Sequence, residues 1–536
     1  MPALVTQSSS LASGAQILVK HPLRRVVILC AFLLVFLALY RVMVLIAMPL
    51  SAPIGLFTTF MTVWGVCFFL YFVASIWVIM TRPLAGRWLW VELGLIFAGA
   101  MVFRFMLINL PLGLSRDAWR YLWDARVTLH GYSPYMYAPL DKVLVPLRNI
   151  VFANCPYGEF PTKYPPGAQM VFILGYLLNP TNLVALKGLF VLFDLVTCGA
   201  LAVLLARKGL DPRRVVIYAW CPLPIVEFAI QGHSDVIAVT FMVLAVLCAT
   251  SSKQSLRLLA GICIGLAALA RLYPILLLVV LVRRRDWGLV VACVTTIALG
   301  YLPFILLGQG GIRSVLLSFS GQQDLHPGVL DMAPIYIANE LGSRIAPASV
   351  FSVTRLLEMA VAGTTVLVIC IQRLRKRMSV EAALFLLITV TLMVYAHVFP
   401  WYMTALLPWI AIVAVPVWTR ERGVSTKGLA VVMVWYFTCT AVLSYIPGLD
   451  QYSTVSNWLI YYGVSFGVMV VGLAVAAVIG FMQHRSDFEA ASPSTNSQTL
   501  PKRYAWLTLA SIRCNLRSPG SLVRREKRGY SLRERS

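Results

Sequence analysis

The sequence predicts an all-α polytopic membrane protein with about 14 transmembrane helices (12–14), given the ~20 apolar residues needed to cross ~30 Å of hydrocarbon. Three observations carry this. Of 536 residues, 60% are hydrophobic and only 12% are charged, and the mean hydropathy is +0.81. A water-soluble protein of that size has no interior large enough to hide so much apolar surface, so lipid is the solvent for most of the chain. The formal net charge of +24 arises from short Lys/Arg clusters between apolar runs, the mark of cytoplasmic loops. No basic face or soluble domain is left to serve as a nucleic-acid partner site. The eleven cysteines form no CxxC pair, which argues against a zinc or redox centre.

Apolar runs fall at 26–48, 56–80, 88–110, 183–206, 215–230, 233–250, 257–270, 272–283, 288–307, 350–371, 379–396, 400–418, 428–446 and 457–481. Clusters at Arg82/Arg87, Arg207/Lys208/Arg213/Arg214, Lys253/Arg257, Arg283–Arg285, Arg373–Arg377 and Arg420–Lys427 are all predicted to face the cytoplasm. Counting every run as a crossing satisfies each cluster with both termini inside. The stretch 257–283 is read as two half-spans meeting near Arg271 and Pro274, because proline removes a helix hydrogen bond and crowds the preceding turn. Residues 165–181, after Pro165-Pro166, are read as an interfacial or re-entrant segment. This leaves a cytoplasmic segment 1–25, two additional N-terminal helices in 26–87, a core over 88–481 with outer loops 111–182 and 308–349, and a basic, disordered cytoplasmic tail at 482–536.

The polar residues collect on the outer turns. Asp117 to His130 reads as a short amphipathic helix, capped by Ser115 and stopped by Gly131 and Pro134. Asp117, Tyr121, Asp124 and Thr128 share one stripe, and the two carboxylates stand ~10 Å apart along the axis, too far to share a proton. On a plain surface helix Asp117 would pair with Arg120, and function and pairing weigh evenly. Lys163 in Lys-Tyr-Pro-Pro166 is either a headgroup-level lysine or a phosphate ligand. Glu227, Gln231, His233 and Asp235 crowd the turn between two runs, where a polar cavity is expected. Arg271, with Tyr273 beside it, sits at the broken helix. A lipid-facing cation there costs roughly 2.5–3.5 kcal/mol, so it faces a cavity, as a phosphate ligand or in a bridge with Asp194. His397-Val-Phe-Pro-Trp401-Tyr402 supplies aromatics that are either interfacial anchors or a stacking surface for a sugar. Arg41, Arg104 and Glu92 lie within or beside spans. No nucleotide-binding or hydrolase motif occurs.

In this order, Asp-Ala-Trp-Arg-Tyr-Leu-Trp-Asp-Ala-Arg-Val with Gly-Tyr-Ser-Pro-Tyr, Lys-Tyr-Pro-Pro, the Asp194 span, Gln-Gly-His-Ser-Asp, Arg-Leu-Tyr-Pro and Phe-Pro-Trp-Tyr resemble the GT-C superfamily of membrane glycosyltransferases. Within it the chain is similar to bacterial polyprenyl-phosphate-mannose-dependent mannosyltransferases, over roughly residues 88–420. Such families commonly carry two adjacent acids after the first core span; here Arg116 fills the first place and Asp117 the second.

The resemblance implies an inverting hexosyl transfer, with mannose as the sugar, from a polyprenyl-phosphate donor to a hydroxyl of a glycan, glycolipid or protein acceptor. The site would lie on the outer face of the plasma membrane. Asp117 is the implied base. Arg120, Asp124, Lys163, His233, Asp235, Arg271, Tyr273, His397 and Trp401 are the implied substrate-binding residues. No cofactor or metal is expected; the lipid-linked sugar is a substrate. The competing expectation is a transporter or flippase of a lipid-linked sugar.

Overall fold

The computed structural model describes residues 21–49, 52–283, 285–306, 309–320, 347–375, 377–393, 399–419, 423–448 and 460–491. His397, most of the expected outer loop 308–349 and the tail from 492 lie outside the described residues. The chain divides into a unit over Met1–Gly480 and a second over Phe481–Ser536, of which only the end of the helix Val468–Ala491 is described.

Helix dominates. Among the described residues the sheet content is two antiparallel two-residue strands, with Trp418 opposite Val424. Among the described residues, eight helices are long and apolar enough to cross a membrane: Pro22–Ile46, Ile54–Met80, Arg87–Leu107, Leu183–Arg207, Trp287–Leu306, Leu356–Leu374, Thr426–Ser444 and Ile460–Gln483. The other expected runs are shorter or broken. Asp235–Ala249 and Gln254–Ala268 have 15 residues each and Val380–Met393 has 14. The run at 215–230 folds as short pieces ending in a π-helical turn, Ile225–Ile230. Pro222 and Pro224 explain this, since neither can donate to a helix ladder.

Helix Pro22–Ile46 packs on both Arg87–Leu107 and Ile54–Met80. Gly99 is the contact point: a Cβ there would stand 2.8 Å from Leu33 and 2.9 Å from Trp220, whose indole N–H donates to the Ile96 carbonyl at 2.8 Å. Buried ion pairs lock the same region. Glu92 takes Arg25 at 2.9 Å and Arg213 at 3.1 Å, and Arg104 takes Asp194 at 2.5 Å with both side chains fully buried. Asp194 therefore pairs with Arg104 rather than with Arg271. Gln254–Ala268 and Trp287–Leu306 touch through small residues. A Cβ on Gly261 would lie 2.2 Å from the Leu289 carbonyl oxygen, and one on Gly265 2.6 Å from Thr296, the close approach that a small-xxx-small stripe permits.

The half-span break is where the sequence placed it. Helix Gln254–Ala268 ends, and a 3-10 turn restarts at Tyr273–Leu276. The Leu269 carbonyl freed there accepts from the amides of Gly167 (2.9 Å) and Ala168 (3.2 Å), at the start of the 13-residue helix Pro166–Leu178. Irregular backbone at membrane depth must find such partners. Only glycine fits at 167, because a Cβ would meet Leu269 at 2.8 Å.

Candidate active site

The helix Asp117–Leu129 begins where expected. The Ser115 hydroxyl accepts from the Asp117 amide at 3.2 Å, and Gly131, at φ +82°, ends the turn beyond Leu129. Its ion pair differs from the surface-helix expectation. Arg120 pairs with Asp124 one turn on, at 2.7 Å, and leaves Asp117 without an ion pair among the described residues. The remaining Arg120 donors take the carbonyls of Tyr157 (2.9 Å) and Phe160 (2.8 Å). The second Asp124 oxygen accepts from Thr162 at 2.5 Å and Gln169 at 3.2 Å. Arg120 and Asp124 are thus a clamp that folds residues 157–164 over the helix. Arg126 donates to the Leu147 carbonyl and the Tyr176 hydroxyl.

That clamp delivers Lys163 and Tyr164 to Asp117. The Tyr164 hydroxyl donates to Asp117 Oδ2 at 3.3 Å, and the Arg271 guanidinium sits 5.3 Å from the centre of the same ring. Tyr164 therefore stands between a carboxylate and a guanidinium that are 154 residues apart in sequence (271 minus 117). Its ring is fixed by edge contacts to Tyr121 at 4.8 Å and Phe172 at 5.6 Å, while Tyr121 stacks flat on Phe172 at 4.2 Å. Half-buried Lys163 lies over the Tyr157 ring. Burial pushes its ammonium below the usual 10.5, with Asp117 pulling it back up and Arg271 and Arg120 opposing.

The 231–235 turn closes the other side. Gln231 Oε1 accepts from the amides of Leu114 (3.1 Å) and Ser115 (3.3 Å), which stitches the turn to the start of the Asp117 helix. Gly232, at φ +68°, passes so close that a Cβ would meet Lys187 at 3.2 Å and Ala118 at 3.4 Å. Beyond it His233 Nδ1 is 2.8 Å from Glu227 Oε2, and Tyr445 donates to the same carboxylate at 2.9 Å. A carboxylate on Nδ1 orients the ring and points Nε2 away from it. Asp235 holds Arg271 at 2.6 Å, and Arg271 also lies 5.6 Å from the Tyr402 ring centre. Trp401 is only 6% exposed and stacks on His233 at 3.8 Å and on Phe399 at 4.5 Å. Its ring area is taken by protein neighbours, which makes it a wall that holds His233.

Gln231 Nε2, His233 Nε2, Asp235 Oδ1, Arg271 Nε and the Tyr273 hydroxyl are all buried polar atoms with no hydrogen-bond partner among the described residues. Buried polar atoms of this kind need a partner, which water or a polar ligand can supply. Of the residues that the sequence singles out within the described region, Asp117, Lys163, His233, Asp235, Arg271, Tyr273 and Trp401 converge here, while Arg120 and Asp124 shape the loop. Tyr164, Glu227, Gln231 and Tyr445 complete the arrangement. Tyr445 carries no signal in the sequence, since its partner Glu227 is 218 residues away.

Residues 162–397 match the sequence model of Glycosyltransferase family 87, a GT-C-type family. The matched stretch is less than half of the chain. Lys163, Tyr164, His233, Asp235 and Arg271 fall inside the matched stretch, and Asp117 precedes it. Among solved structures the chain is similar to ArnT from Cupriavidus metallidurans bound to undecaprenyl phosphate. Identity is 15% over 72% of this chain and 75% of that one, with a TM-score of 0.39. No curated protein matches the sequence.

Proposed function

We propose that the protein transfers a hexose, mannose in the first instance, from a polyprenyl-phosphate donor to an acceptor hydroxyl, with inversion at the anomeric carbon. The observation that carries this is the pairing across Tyr164 of an acid, Asp117, with a cation, Arg271, beside five buried polar atoms that have no partner among the described residues. A hydroxyl is a poor nucleophile and needs a base within hydrogen-bond reach, which a carboxylate supplies. The donor's leaving group is already a phosphate, whose departure is eased by cations rather than by protonation.

In the proposed step the acceptor proton passes to Asp117 as the new oxygen–C1 bond forms. The C1–O bond to the phosphate breaks, and its electron pair stays on polyprenyl phosphate. Arg271 holds that phosphate with the N–H groups that Asp235 does not use, and Lys163 adds a second cation. His233, held by Glu227, presents Nε2 to a sugar hydroxyl. The acceptor is a glycan, glycolipid or protein, and the site works on the outer face of the plasma membrane. The test is transfer from synthetic polyprenyl-phosphate-mannose by the purified, folded chain to membrane acceptors. Transfer is expected; the absence of transfer from any polyprenyl-phosphate sugar by monodisperse protein would overturn the proposal.

A further inference from the structure

A second polar cavity, of about 620 Å³, lies at the opposite end of the helices that build the first site. Helix Leu183–Arg207 carries Lys187 at the Asp117 end and Arg207 at this cavity, about 30 Å apart at ~1.5 Å per residue. Helix Asp235–Ala249 likewise starts at one site and ends at the other, and Arg257 lies on the cavity side of the half-span that leads to Arg271. This is the end that the basic loops predict to be cytoplasmic.

Six cations line the cavity: Arg207, Lys208, Arg257, Arg283, Arg373 and Lys427. Carboxylates neutralise two of them, Glu381 pairing with Lys208 and Asp286 with Arg257. The other four have no carboxylate partner among the described residues. Backbone carbonyls hold three of these guanidiniums: Arg283 donates to Ala249 at 3.1 Å, Arg373 to Met378 at 2.9 Å and Arg207 to Leu247 at 3.5 Å. The Arg373 Nε is buried and has no hydrogen-bond partner among the described residues. The six cations are contributed by segments as distant as 207 and 427, so the tertiary fold brings them together against their mutual repulsion. Its volume lies within the ~300–1,000 Å³ typical of small-ligand sites.

We infer that this cavity is a binding site for a phosphate group at the membrane face opposite the transferase site, held by the Arg283 and Arg373 forks with Arg207 and Lys427 supplying positive charge. Two sources share that chemistry: the headgroup of an anionic phospholipid and a free phosphate. The experiment uses the full chain in detergent and has two arms. Native mass spectrometry measures retention of phosphatidylglycerol against phosphatidylcholine, and equilibrium dialysis measures binding of orthophosphate. The test variant is Arg207→Gln/Lys427→Gln; Arg207→Lys/Lys427→Arg keeps the charge and controls for folding.

The affinity of one probe is expected to fall about tenfold in the glutamine variant and to survive in the charge-keeping one. Loss in the phosphatidylglycerol arm identifies a lipid headgroup, and loss in the orthophosphate arm alone identifies a free phosphate. The basic tail contributes equally to every variant, so the difference reports the cavity. Equal retention of the two lipids together with no orthophosphate binding would overturn the inference. So would a glutamine variant that binds both probes like wild type.

Discussion

Arg271 has two tasks in this account, and a double-mutant cycle separates them. Its guanidinium is 2.6 Å from Asp235, with the two side chains 13% and 1% exposed. The second Asp235 oxygen already has no hydrogen-bond partner among the described residues. Replacing Arg271 with glutamine leaves a buried carboxylate uncompensated, and breaking such a pair costs about 3–5 kcal/mol. Arg271→Gln alone is therefore expected to lower the apparent unfolding midpoint in detergent markedly. Adding Asp235→Asn removes the stranded charge and should recover most of the loss, because replacing both partners of a buried pair is often close to neutral. Donor affinity should not recover. Without a charge-assisted hydrogen bond worth about 1.5–3 kcal/mol, the double variant should bind polyprenyl-phosphate-mannose roughly 10–100-fold more weakly than wild type. A double variant that regains both stability and donor binding would refute the phosphate role. A single variant as stable as wild type would refute the reading of the pair as buried.

Three further expectations follow from the same geometry. Tyr164→Phe removes the 3.3 Å hydrogen bond to Asp117 but keeps the ring under Arg271, so turnover should fall about 5–10-fold with donor affinity retained, read by steady-state transfer. Lys163 titrates below the usual 10.5, so its charge, and the donor affinity it supports, should fall away as pH rises through that lowered value. The charged form is the one that folding penalises, so this lysine's drag on stability is full below the lowered pKa and lifts above it. Lys163→Arg should keep donor binding flat across the same alkaline range, and an identical pH profile in both proteins would remove Lys163 from the phosphate site. Gly261→Leu would drive a side chain into the Leu289 carbonyl, where even a Cβ stands at 2.2 Å, and should abolish the folded, monodisperse state in size-exclusion chromatography.

The positions of these polar residues were legible in the sequence because local signals carry them. A capped amphipathic helix marks Asp117, a proline-broken run marks Arg271, and a polar turn between apolar runs marks His233 and Asp235. Partner choice was not legible. Asp194 within an apolar run and Arg271 at a broken one invite pairing, yet Asp194 joins Arg104 and Arg271 joins Asp235. Helical spacing allows Arg120 to face Asp117 or Asp124, and only the carbonyls of Tyr157 and Phe160 decide for Asp124. Tyr164 looked like part of a loop-ending turn, because its role depends on the clamp that folds residues 157–164 back over the helix. Crossing counts suffered similarly. Hydropathy sees 215–230 as one span, while Pro222 and Pro224 break it into turns that the surrounding helices satisfy.

Asp117 as the base is the central claim, and one measurement addresses it most directly. Asp117→Asn keeps the shape and the Ser115 cap but cannot accept the acceptor proton. Transfer from synthetic polyprenyl-phosphate-mannose and equilibrium binding of the donor are measured on the same purified preparation. The account predicts a loss of transfer of at least about 100-fold, in line with general-base catalysis, while donor affinity stays within a few-fold of wild type. An Asp117→Asn protein that transfers sugar at the wild-type rate would contradict it.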